Sequence, residues 1–102
     1  MVLVEFSIFP VGKEEHLSTY VAHSLEIIEK SGLSYQVTSM GTLIEGEWDD
    51  VMNVVKSCYV RMQEEAPRVY GTMTIDARKG GGAQIKRKIE SVEQKLGHKL
   101  SK

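Results

Sequence analysis

A chain of 102 residues, 41% hydrophobic and 26% charged, has the composition of one ordinary globular domain. It holds no apolar run long enough to cross a bilayer, and its single cysteine, Cys58, excludes an internal disulfide and any multi-cysteine zinc site. The formal net charge of −1 hides an asymmetry, with 5 basic and 12 acidic side chains in residues 1–77 against 8 basic and 2 acidic in residues 78–102.

The chain opens on "VLVEFSIFP", a β-branched and aromatic run that Pro10 ends. Its alternation sets Val2, Val4, Phe6 and Ile8 on one face and Leu3, Glu5, Ser7 and Phe9 on the other. No basic leader precedes the strand, so no secretory signal is expected, and the lone cysteine fits a reducing, cytoplasmic location. From Glu14 to Lys30 the spacing becomes helical, with Leu17, Val21, Leu25 and Ile28 in one stripe and Tyr20, Ser24 and Ile27 beside it. Gly32 in "KSGL" is the expected left-handed cap. Two short strands follow, "YQVTS" and "TLIEG", joined around Met40 and Gly41. A second helix starts at "EWDD", whose acidic residues suit a helix N-terminus, and continues through Val51, Met52, Val55, Cys58, Tyr59 and Met62. It stops before Pro67. "RVYGTMTIDAR" is a fourth strand, and "AQIKRKIESVEQKLG" is a third helix, with Ile85, Ile89, Val92 and Leu96 along one side.

The order βαββαβ plus a C-terminal helix predicts an α+β fold, a ferredoxin-like sandwich with a four-stranded antiparallel sheet and two helices on one face. Residues 1–102 form a single domain, in which 79–102 are a basic loop and C-terminal helix. The apolar faces of strands one and four are expected to meet the helices. The opposite face carries Leu3, Phe9 and Tyr70 among polar residues, a poor fit to bulk water. That favours a homo-oligomer, dimer or tetramer, built through sheet faces, or a ligand surface. The basic tail is expected to pair with the acidic body of the same chain or of a neighbouring copy, not with nucleic acid or membrane.

The signatures of catalysis are mostly absent: no GxSxG, no P-loop, no GxGxxG between strand and helix. Cys58 lies in an apolar helical line and reads as a structural thiol, while His16 and His23 lack a nearby third ligand for a metal. "RKGGGAQIKRK" is either a phosphate-holding loop at a helix start or a plain joint. The stretch "SMGTLIEGEWDD", Ser39 to Asp50, holds a tight glycine turn at Gly41 and a glutamate, Glu45, inside a strand. Glu45 is either an edge charge that blunts aggregation or a half-buried carboxylate accepting hydrogen bonds from an amine or amidine-like ligand. Thr38, Ser39 and Thr42 would add hydroxyls beside it. Such a set suits binding better than a catalytic dyad.

Three stretches, "VEFSIFPVG", "SGLSYQVTSMGTLIEGEWDDVM" and "TIDARKGG", resemble the thiamine-binding-protein-like family of small ferredoxin-like domains, and the resemblance covers nearly the whole chain. Two positions depart from the family pattern: Ser39 stands where proline usually precedes MGT, and Ala77 separates Asp76 from Arg78 where a second acidic residue is common. The resemblance implies dimers or tetramers formed through the sheets, binding of thiamine or its hydroxymethyl-pyrimidine moiety, no cofactor, and no established catalytic activity. It also implies a binding region at Ser7, Thr38, Met40, Gly41, Thr42 and Glu45, with Tyr35 and Phe9 as candidates for stacking on a ring. The expectation is a non-enzymatic carrier, buffer or sensor of a small heteroaromatic metabolite. The alternatives are an oligomeric interaction module and an enzyme acting on a small metabolite.

Overall fold

The computed structural model describes residues 1–79 and 84–101, the Glu14 side chain excepted. Strand β1 (Val2–Pro10) is followed by a short 3₁₀ turn (Glu14–His16) and helix α1 (Leu17–Ser31). Strands β2 (Ser34–Thr38) and β3 (Gly41–Gly46) form a hairpin that leads into α2 (Trp48–Gln63). Strand β4 (Val69–Ala77) and helix α3 (Gln84–Leu96) complete the chain. The sheet order is β2-β3-β1-β4 with every neighbouring pair antiparallel, the ferredoxin-like α+β sandwich. The triplet Gly80 to Gly82, read above as a phosphate-holding loop or a joint, lies outside the described residues.

Local chemistry explains the element ends. Gly32 adopts φ 75°, where a side chain would be strained, and its N–H donates to the Glu29 carbonyl to close α1. Asp49 and Asp50 sit in the first turn of α2, against the positive end of its dipole, and Val51 N–H donates to Glu47 O at 3.0 Å. The first helix begins at Leu17, three residues later than its periodicity suggests, because Glu14 to His16 wind more tightly.

The core lies between the sheet and the first two helices. Val2, Val4 and Phe6 of β1 meet Ile44 of β3, Ile28 of α1, and Val51, Val54 and Cys58 of α2. Three expectations change on packing. The buried line of α1 is Tyr20, Ser24 and Ile28, while Leu17 and Val21 are each 40% exposed. In α2, Val54 is buried and Tyr59 is not. Only β1 gives its apolar face to the helices along its length: α2 lies over β1 more than β4, so Met73 and Ile75 of this edge strand remain 44% and 42% exposed.

Helix α3 packs on the other side of the sheet. Its buried Ile85 and half-buried Ile89 approach Gln36 of β2, and Gln84 N–H donates to Glu45 of β3. The Lys88 ammonium pairs with Asp76 of β4, which also contacts Arg78 Nε at 3.4 Å. The basic segment therefore closes on an acid of the same chain. Part of the face that the sequence left open to a partner or ligand is covered by α3.

Candidate functional site: a notch at the end of the sheet

Strand β1 is longer than the hairpin beside it. The β1–β3 pairing ends at Phe6 and Thr42, while β1 continues to Pro10 paired with β4 alone. This overhang leaves a notch on the β3 side of Ser7 to Phe9. The start of α1 forms one bank of the notch and the β2–β3 turn forms the other. The resulting concavity of about 220 Å³ is lined by Phe6, Ser7, Ile8 and Phe9 of β1, by Leu17, Val21 and Ser24 of α1, and by Val37 to Thr42 of the hairpin. Pockets for drug-sized ligands run to roughly 300–1,000 Å³, so this one suits a single ring system.

The turn that makes the second bank is held by one side chain. Thr38 Oγ1 accepts the N–H of Met40 at 3.2 Å and of Gly41 at 3.1 Å, and donates to the Gly41 carbonyl at 2.8 Å. Gly41 is needed because a Cβ there would lie 2.9 Å from the Phe6 carbonyl oxygen of the adjacent strand. Met40 stands on the rim and is 85% exposed.

Five of the seven residues expected at the site line this concavity: Ser7, Thr38, Met40, Gly41 and Thr42. Ser7 contributes main chain, since strand alternation turns its side chain to the opposite face with Leu3 and Glu5. Phe9 also lies in the wall, with its ring 5.7 Å from that of Tyr70 at 45°. Tyr35 and Glu45 do not line it. Tyr35 pairs with Ile44, further down the hairpin. Glu45 lies near the far end of β3, is 4% exposed, and is occupied by the N–H of Gln84 at 2.8 Å. Nor does Glu45 lie on the sheet edge, which belongs to β2.

Sequence reading missed the α1 contribution. Ser24 is 8% exposed, and among the described residues its Oγ has no hydrogen-bond partner. The available signal was a serine inside an apolar helical line, next to two large residues, Leu17 and Val21, that packing left uncovered.

None of the described residues lining the concavity is ionisable. Titratable groups cluster elsewhere. At the C-terminal end of α2, Arg61 pairs with Glu65, and this hydrogen bond holds the Glu65 carboxyl below the usual range. Burial, with the neighbouring Glu65 charge, pushes the Tyr20 hydroxyl up. Cys58 is fully buried; burial raises its thiol pKa, and its S–H points to the Ser24 carbonyl at 3.8 Å. It is a structural thiol. No group of three or more metal-ligating side chains occurs among the described residues, and none of their helices is long and apolar enough to cross a membrane.

The fold and this notch define the chain as a ferredoxin-like α+β domain with a concave site at one end of its sheet. A profile of the thiamine-binding protein family matches residues 4–93, and the chain belongs to that family. It is 35% identical to a UPF0045 protein of Methanothermobacter thermautotrophicus, over 94% of this chain and 100% of the relative. A hypothetical protein of Methanocaldococcus jannaschii has a crystal structure that superposes with a TM-score of 0.82 at 31% identity, covering 91% of this chain and 96% of the other. A Thermotoga maritima structure, provisionally described as a thiamine biosynthesis/salvage protein, gives a TM-score of 0.78 at 26% identity, covering 89% and 97%.

Proposed function

We propose that this chain binds one small heteroaromatic ring, of the aminopyrimidine type present in thiamine, in the notch between α1 and the β2–β3 turn, and does not transform it. The observation that carries this reading is the character of the wall: apolar side chains, short hydroxyls and strand main chain, with no ionisable side chain among the described residues. General acid–base catalysis requires a titratable group at the reacting atom, and the described residues of the wall offer none. Membership of the thiamine-binding protein family supports the ligand class. So does the volume, which suits the pyrimidine ring and leaves the rest of a thiamine molecule to extend past the Met40 rim. Such a protein serves as a carrier, buffer or sensor in which Ser7, Thr38, Met40, Gly41 and Thr42 form the binding region, and Tyr35 and Glu45 support the fold. Calorimetric titration with thiamine and with hydroxymethyl-pyrimidine tests this, alongside Val21→Trp, which fills the mouth from an already exposed position. Heat in the unaltered chain and none in the variant is expected; no heat and an unshifted melting temperature in the unaltered chain would remove the reading.

A second reading is self-association across β4. This edge strand is exposed for most of its length, and Tyr70, Met73 and Ile75 are exposed apolar side chains on it. Sedimentation equilibrium checks this reading, and a monomer at micromolar concentration would exclude it.

A further inference from the structure

We infer that the ring is read along one edge by the main-chain donor and acceptor of Ile8, together with the hydroxyl of Ser24, so that the site selects a planar ring carrying an N–H donor next to a ring acceptor. This deepens the binding reading above and rests on it.

The argument starts from strand alternation. In an antiparallel sheet the N–H and C=O of one residue point to the same neighbour, and those of the next residue point to the other side. Val11 N–H donates to Arg68 O at 2.8 Å and Arg78 N–H to Met1 O at 3.4 Å, so the odd-numbered residues of β1 face β4. The even-numbered ones face β3: Val2, Val4 and Phe6 pair with Gly46, Ile44 and Thr42. Ile8 is the next in that series, and β3 has already ended. Its N–H and C=O therefore face the notch, in the position where a further strand residue would have offered a matching acceptor and donor. A 4-aminopyrimidine carries that same pair on adjacent atoms.

Ser24 is the second, independent observation. Ser24 lines the same concavity and is more than nine-tenths buried, and its hydroxyl has no partner among the described residues. An unpaired buried hydroxyl is unfavourable, and a ligand that completes it recovers that loss on binding. Of the other hydroxyls in the wall, that of Thr38 is not available, because its Oγ1 is fully engaged in the turn. Ser24 is thus a specificity-determining residue, and it acts from the helix that sequence patterning assigned to the core.

The test is calorimetry on the full chain with two probes, hydroxymethyl-pyrimidine and its counterpart lacking the 4-amino group, and with one variant, Ser24→Ala. The deamino probe should bind the unaltered chain at least about tenfold more weakly, because the Ile8 carbonyl is left without a donor. Ser24→Ala should weaken hydroxymethyl-pyrimidine by about tenfold, with an unchanged or higher melting temperature, since the hydroxyl makes no hydrogen bond among the described residues. If the unaltered chain binds hydroxymethyl-pyrimidine and both changes leave affinity within about twofold, this inference is overturned and the binding reading stands. If the unaltered chain binds neither probe nor thiamine, the binding reading itself falls and takes the inference with it.

Discussion

The Glu45 carboxylate on β3 accepts the backbone N–H of Gln84, the first residue of α3, at 2.8 Å across 39 positions of the chain. A helix start leaves its first N–H groups without partners and carries partial positive charge, so a buried carboxylate at this point satisfies a donor and the dipole together. Glu45 thus fastens α3 to the sheet face opposite α1 and α2. Glu45→Ala should lower stability by about 0.5–2 kcal/mol, the range for loss of a helix cap, measured by urea unfolding. Ligand affinity in that variant should stay within about twofold, because Glu45 lies outside the notch. A large loss of affinity with intact stability would return Glu45 to the site.

The pH response should come from ion pairs outside the notch. Asp76 is held below the ordinary carboxylate range by its hydrogen bond to Lys88, then by the Arg78 charge, and Glu65 is lowered by Arg61. A carboxyl lowered by folding releases its proton more readily in the native state, so its contribution is complete above the unfolded value and disappears as the folded group protonates. The melting temperature should therefore fall as pH drops below about 4, and Asp76→Asn should flatten part of that fall. Tyr20 works in the opposite sense. Its raised pKa adds stability that is complete below the ordinary tyrosine value and is lost as pH rises above about 10. Between about pH 6 and 9 ligand affinity should be flat as far as the described wall is concerned, since none of its described residues is ionisable.

Thr38 should act through the turn and not through direct contact with ligand. Its hydroxyl makes three hydrogen bonds to the main chain of Met40 and Gly41. Thr38→Val keeps the shape and removes all three, which should lower stability by about 1–2 kcal/mol and weaken ligand binding as the bank of the notch loosens. Thr38→Ser keeps the hydroxyl and should restore both. Thermal unfolding and calorimetry on the pair check this, and a Thr38→Val protein with unaltered affinity would separate the turn from the site.

Cys58 should resist alkylation in the folded protein. It is fully buried, and burial raises its thiol pKa, so both access and thiolate are lacking. Iodoacetamide should label it only in denaturant, with mass spectrometry as the readout.

Elements with a local cause could be read from the chain. The alternation of β1, the glycine end of α1 at Gly32 and the acidic start of α2 depend on neighbours a few residues away, and all three are present. The features that escaped depend on packing between distant segments. Two lines on α1, one through Leu17 and Val21 and one through Tyr20, Ser24 and Ile28, are close in apolar content, and docking on the sheet decides between them. Glu45 stood beside the glycine turn in sequence, yet β3 carries it to the other end of the sheet, to a partner in the last helix. The hairpin side of the site was legible because a tight turn advertises itself. The helix side was not, because a partly uncovered Leu17 or Val21 looks the same as a core residue until the sheet is in place.

The overhang of β1 past the hairpin has a bearing on how such a protein changes over time. The residues that shape the mouth, Ser39 and Met40, lie beyond the last paired rung of β2 and β3 and are exposed to solvent. Substitutions there can alter what enters without disturbing sheet register or the packed interior. The usual conflict between a new binding preference and a folded chain is relaxed at this one place, so descendants of a common ancestor could diversify in ligand while keeping the same framework.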